Sequence, residues 1–121
     1  MIDLDHVQIA APPGCEAEAR RFFGDLLGLD ELEKPEPLRA RGGAWFALAG
    51  GRQLHVGVEE PFAPARKAHP AFGVPGSELD ELAKRLEAAG ARVEWDDSLP
   101  GVRRFYTADP WGNRLELVAT R

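Results

Sequence analysis

Two stretches of this 121-residue chain repeat each other, and that duplication limits the folds open to it more than any other feature. Gly51-Arg52-Gln53-Leu54-His55-Val56 returns as Gly112-Asn113-Arg114-Leu115-Glu116-Leu117, an offset of 61 that matches His55 with Glu116. Asp5-His6-Val7-Gln8-Ile9 returns as Ala68-His69-Pro70-Ala71-Phe72, an offset of 63 that matches His6 with His69. Two copies are too few for a solenoid, so the chain is expected to build one supersecondary unit twice. The same duplication sorts all three histidines and one glutamate into equivalent places.

The apolar pattern gives that unit its elements. Residues 4–10 roughly alternate and predict a strand, broken by Pro12-Pro13-Gly14. Residues 15–27 predict a helix with Phe22, Phe23, Leu26 and Leu27 on its apolar face and Gly28 as its stop. A short strand is expected from Leu29 to Lys34, then loop through Pro35–Pro37, then strands over Ala44–Leu48 and Gln53–Val58. The proline-bearing segment from Glu59 to Ala68 reads as a linker. After it come a strand over His69–Val74 and a helix starting at Ser77, with Ser77 and Asp80 at capping-box spacing. That helix stops at Gly90, and strands follow over Ala91–Trp95, Val102–Thr107 and Arg114–Ala119. The segment before the last strand, Asp109-Pro110-Trp111-Gly112-Asn113, is a strong turn signal.

The expected fold class is therefore α+β: two βαβββ modules whose sheets curl into a cup, with the helices on the outer face. The length suits one domain, residues 1–121, with module one over about 1–59, a linker over about 60–67 and module two over about 68–121. A formal charge of −5 argues against nucleic acid as a partner. The absence of a long apolar run argues against a membrane, and the N-terminus lacks the features of a signal peptide. The single Cys15 cannot form an internal disulfide, and a cytoplasmic location is expected.

Alternate strand residues share a face, so if His6 points into the cup, His69 should too, and the same holds for His55 and Glu116. Imidazole nitrogens and a carboxylate oxygen suit a divalent first-row metal. No compact metal motif such as His-Glu-x-x-His is present, so the candidate site rests on the coincidence of four residues in register.

These residues resemble the vicinal oxygen chelate superfamily, which includes glyoxalase I, fosfomycin-resistance proteins, extradiol dioxygenases, methylmalonyl-CoA epimerase and bleomycin-binding proteins. The resemblance runs over nearly the whole chain, through Leu4-Asp5-His6-Val7, Phe22 to Leu29, His69-Pro70-Ala71-Phe72 and Asp109 to Leu117. It implies paired βαβββ modules, a divalent ion (Zn, Ni, Mn, Fe or Co) and a small-molecule substrate chelated through two oxygens. It also implies a homodimer, with the modules paired within a chain or exchanged between two. His6, His69 and Glu116 match the common ligand positions. Position 55 holds His where glyoxalase I-like members usually carry Glu or Gln, so His55 is expected as a fourth ligand or as a general base, with His55 and Glu116 the candidate catalytic residues.

The expected activity is that of a metal-dependent lyase, isomerase or dioxygenase, with the ion as a Lewis acid toward a developing enolate or oxyanion. Trp45, Arg104 and Tyr106 are candidate pocket residues; the Arg104/Tyr106 and Arg103/Phe105 pairs lie on opposite faces of one strand, and either pair could face the site. The alternative is a binding protein of the bleomycin-binding type, which sequesters a cationic drug without chemistry and for which Glu59, Glu60, Glu94, Asp96 and Asp97 are available.

Overall fold

Alternating apolar residues bury one face of each sheet, most clearly along the strands at Ala44–Ala47, Gln53–Val58, Arg104–Ala108 and Arg114–Thr120. The computed structural model describes residues 1–120; Arg121, the last residue read into module two, lies outside the described residues. The chain divides into two compact units, Met1–Pro64 and Ala65–Arg121.

In the first unit, β1 (His6–Ala11), β2 (Glu31–Leu32), β3 (Ala44–Ala47) and β4 (Gln53–Val58) form a sheet in the order β1-β4-β3-β2. β1 runs parallel to β4 and the other pairs are antiparallel. The parallel pair needs a crossover, and the first helix lies within it. That helix begins as α1 (Glu16–Ala19) and continues through Arg20–Leu26 with π-type winding. Ile9, Ala11, Ala44, Phe46, Leu54 and Val56 share one face of the sheet and are buried, as are Ala19, Phe22 and Phe23 of the helix.

The second unit repeats this plan. β5 (Ala71–Pro75), β6 (Glu94–Asp96), β7 (Arg104–Ala108) and β8 (Arg114–Thr120) take the order β5-β8-β7-β6, with β5 parallel to β8. Helix α3 (Leu79–Ala88) buries Leu79, Leu82, Ala83 and Leu86, and the sheet buries Phe105, Leu115 and Leu117. Both helices run into a glycine with positive φ, Gly28 at 75° and Gly90 at 87°, as the sequence predicts. No helix among the described residues is long and apolar enough to cross a membrane.

Register confirms the internal match. His55 is the Cα partner of Gln8 on one side and Trp45 on the other; Glu116 is the partner of Ala71 and Tyr106. The offsets of 61 and 63 read from sequence are thus the offsets of the two sheets.

Several local expectations are corrected. The Pro35–Pro37 segment is not loop: Pro35 caps α2 (Glu36–Arg39), with Pro37 in the first turn, where a missing amide proton costs nothing. The Ser77/Asp80 capping box does not form. A 3₁₀ turn over Gly76–Glu78 leads into α3 without a side-chain cap, and Asp80 instead accepts hydrogen bonds from Arg103. The strand expected over Leu29–Lys34 is only two residues long, and those expected from His69, Ala91 and Val102 begin two or three residues later.

Candidate functional site

Each sheet carries its polar residues on the face away from its helix, and the candidate residues fall there as two groups. In the first unit, β1 supplies His6, β4 supplies Gln53 and His55, and β3 supplies Trp45. The His55 ring stacks flat on Trp45, with centroids 3.8 Å apart and planes 2° apart. His6 stacks near it at 4.5 Å. His6 Nδ1 donates to Asp5 Oδ1 at 2.8 Å, which leaves Nε2 outside that bond. His55 Nε2 donates to Gln53 Oε1 at 2.8 Å and so takes the opposite tautomer. His55 is buried, and its pKa lies below the ordinary histidine value. Desolvation is the main cause, the neighbouring His6 adds to it, and Asp5 opposes it. His55 is thus held neutral.

In the second unit, β8 supplies Glu116, β7 supplies Arg104 and Tyr106, and His69 stands just before β5. His69 Nδ1 donates to the Lys67 carbonyl at 2.8 Å, while its Nε2 lies 3.1 Å from Glu116 Oε1. A carbonyl can only accept, so the Nδ1 proton is fixed, and a neutral ring then turns its Nε2 lone pair toward a carboxylate oxygen. Two acceptors at that distance repel unless a cation, proton or metal, lies with them. The other Glu116 oxygen, Oε2, is 3.4 Å from Arg104 Nη1. Arg104 also reaches Asp96 Oδ1 and Ser98 Oγ through Nη2, and its buried Nε has no hydrogen-bond partner. The Tyr106 ring meets His69 edge to face at 5.4 Å. The structure therefore selects the Arg104/Tyr106 face of β7, beside Glu116; Arg103 and Phe105 lie on the other side.

The turn before β8 sets where Glu116 stands. Asp109 Oδ1 accepts the backbone amides of Trp111 and Asn113, and Asn113 Nδ2 donates to Asp109 Oδ2. Asn113 Oδ1 accepts the Ala65 amide, and the Ala65 carbonyl accepts the Arg114 amide, so the linker end is tied to the start of β8.

Imidazole and carboxylate are donors of the kind a divalent cation takes, and His6 in the first unit and His69 in the second each have Nδ1 anchored by an oxygen acceptor, the outer-shell pattern that orients ligating histidines. Among the described residues, no group of three or more His, Cys, Asp or Glu side chains is gathered so as to hold a metal ion. Sequence reasoning missed the orienting partners Asp5, Gln53 and the Lys67 carbonyl. Strand alternation signals Gln53, two residues before His55 on the same face; the carbonyl leaves no signal.

Residues 13–118 match the model of the glyoxalase-like domain family. The chain belongs to that family. It shares 47% identity, at a TM-score of 0.92, with a protein of Bacillus anthracis assigned to the glyoxalase family, covering 100% of this chain and 97% of that one. The fosfomycin resistance protein FosX of Listeria monocytogenes is similar at 19% identity and a TM-score of 0.77, covering 100% and 95%. A lactoylglutathione lyase of Agrobacterium tumefaciens is similar at 22% and 0.73, covering 98% and 94%. No match was found among curated proteins. The fold is glyoxalase-like, within the vicinal oxygen chelate superfamily, as the sequence resemblance implies.

Proposed function

We propose that this protein is a divalent-metal-dependent enzyme acting on a small substrate with two adjacent oxygens, with His6, His69 and Glu116 as its metal ligands. The observation that carries this reading is the 3.1 Å approach of His69 Nε2 to Glu116 Oε1 while His69 Nδ1 is committed to a carbonyl. Family membership and the metalloenzyme character of the superfamily support it. When bound, the ion would supply Lewis acidity toward an enolate or oxyanion.

The chain's own residues do the rest. His55 is the proposed proton-transfer group, because burial and His6 keep it in the neutral form that accepts a proton near neutral pH. Trp45 fixes its ring plane and Gln53 its tautomer. Arg104 offsets charge at Glu116 and orients that carboxylate. A homodimer is part of the proposal, on the superfamily's pattern.

The drug-sequestering alternative gains nothing from the geometry. One of the acidic residues it would use, Asp96, is already paired with Arg104.

Titration of metal-free protein with Zn, Ni, Mn, Fe and Co ions tests the ligand set. His69→Ala and Glu116→Ala should each weaken binding of the preferred ion at least about tenfold, since loss of even an outer-shell partner typically costs that much. His55→Ala should change it less than about threefold. Unaltered affinity in the first two variants would overturn the ligand assignment, and a large loss in His55→Ala would make His55 a ligand rather than a base.

A further inference from the structure

A cleft of about 470 Å³ lies within the second unit. Arg66, Arg92 and Arg114 line it together with Tyr106 and a single acidic residue, Glu94. In a chain of net charge −5, three guanidinium groups against one carboxylate is a local reversal of sign. Arg92 is already paired with Glu94 at 2.9 Å, but both side chains are well exposed and the pair is weak in water. No carboxylate pairs with Arg66 or Arg114 among the described residues. Arg114 instead lays its guanidinium over the Tyr106 ring, 3.9 Å from the centroid, a cation–π contact that positions the group.

Two features make this more than a chance of surface charge. Arg66 and Arg114 are brought together by backbone: the Ala65 carbonyl accepts the Arg114 amide and the Ala65 amide donates to Asn113. Both arginines thus flank one short backbone clamp. Tyr106 belongs to both places, since its ring lines the cleft and also meets His69 edge on, and its Cα is paired with that of Glu116. A molecule lying along Tyr106 from the His69–Glu116 pair reaches the arginines.

We infer that this cleft is an oxyanion-binding subsite, which takes a carboxylate or phosphate group of the substrate through Arg66 and Arg114. Naming the occupant as substrate rests on the metal-site reading above; the anion binding itself does not. Guanidinium groups recognise both oxyanions through paired N–H donors, so the two chemistries share the site.

The test uses metal-free protein, so that failure of the metal site and failure of the cleft are separate results. Calorimetric titration at low salt would employ inorganic phosphate, succinate and, as a neutral control, glycerol. Saturable binding of phosphate or succinate, but not glycerol, is expected, and the tighter anion identifies the substrate's charged group. The Arg66→Gln/Arg114→Gln double variant should bind at least about tenfold more weakly, the scale of a lost charge-assisted contact. Arg66→Gln alone, in the linker, should give a smaller loss and covers the case in which the double variant fails to fold. Arg20→Gln, in the first unit, should bind as the parent does. Absence of saturable anion binding by the parent, or equal binding by the arginine variants, would overturn the inference.

Discussion

Single side chains in this protein are set by what lies one hydrogen bond away. The protons of His6 and His69 are fixed at Nδ1 by Asp5 and by a carbonyl, and His55 is fixed the other way by Gln53. The same logic holds far from the site. Glu16 accepts the Gly43 amide at 2.6 Å, and this bond, with help from its own backbone amide, holds its carboxyl below the ordinary value of 4.5. A depressed folded value stabilises the protein above about pH 4.5, and that contribution is lost as pH falls through the folded value. Glu16→Gln should therefore lower stability near neutral pH by about 1 kcal/mol, with the gap from the parent closing in acid. Urea unfolding at pH 7 and below pH 4 would check it. Gly43 itself has φ of 86°, and a Cβ there would stand 2.1 Å from the Val56 carbonyl oxygen. Gly43→Ala should cost about 3 kcal/mol or more, read in the same unfolding experiment.

At the scale of elements, the turn between β7 and β8 positions the site. Asp109 is buried, and desolvation raises its carboxyl pKa above the ordinary value while hydrogen bonds from Asn113, Trp111 and Gly112 oppose the shift. Asp109→Ala removes at once the acceptors of the Trp111 and Asn113 amides and of Asn113 Nδ2. It should destabilise the protein by roughly 2–3 kcal/mol and speed hydrogen exchange along β8, Glu116 included. The elements were readable from sequence where side chains carry the signal. β4 falls where alternation puts it, and Gly28 and Gly90 end both helices as expected. The π-type winding over Arg20–Leu26 left no trace, because its apolar spacing, with Phe22 and Phe23 buried, reads equally well as an ordinary helix. The helix at Glu36–Arg39 was hidden by prolines that read as breakers but sit where a helix tolerates them. Late strand starts at β5, β6 and β7 reflect pairing partners, which local propensity does not contain.

For the whole molecule, the duplication is the organising fact. It was visible in two hexapeptides, and the strand registers reproduce it residue for residue at His55 and Glu116. The candidate residues were legible because duplication carries them; of their orienting partners, Gln53 is signalled only by strand alternation and the Lys67 carbonyl not at all, since a backbone group carries no residue-type signal. A ligand that binds only the folded state adds stability by mass action. The preferred ion at a hundred times its dissociation constant should add about 2.7 kcal/mol, raising the melting temperature by roughly 8–12 °C. The rise should vanish on chelation and be absent in Glu116→Ala.

The central claim is that His69 and Glu116 hold a metal. It is tested most directly by elemental analysis of untagged, freshly purified protein beside His69→Ala and Glu116→Ala. About one divalent ion per chain in the parent, lost from both variants, is the expected result. Stoichiometric metal retained by both variants would contradict it.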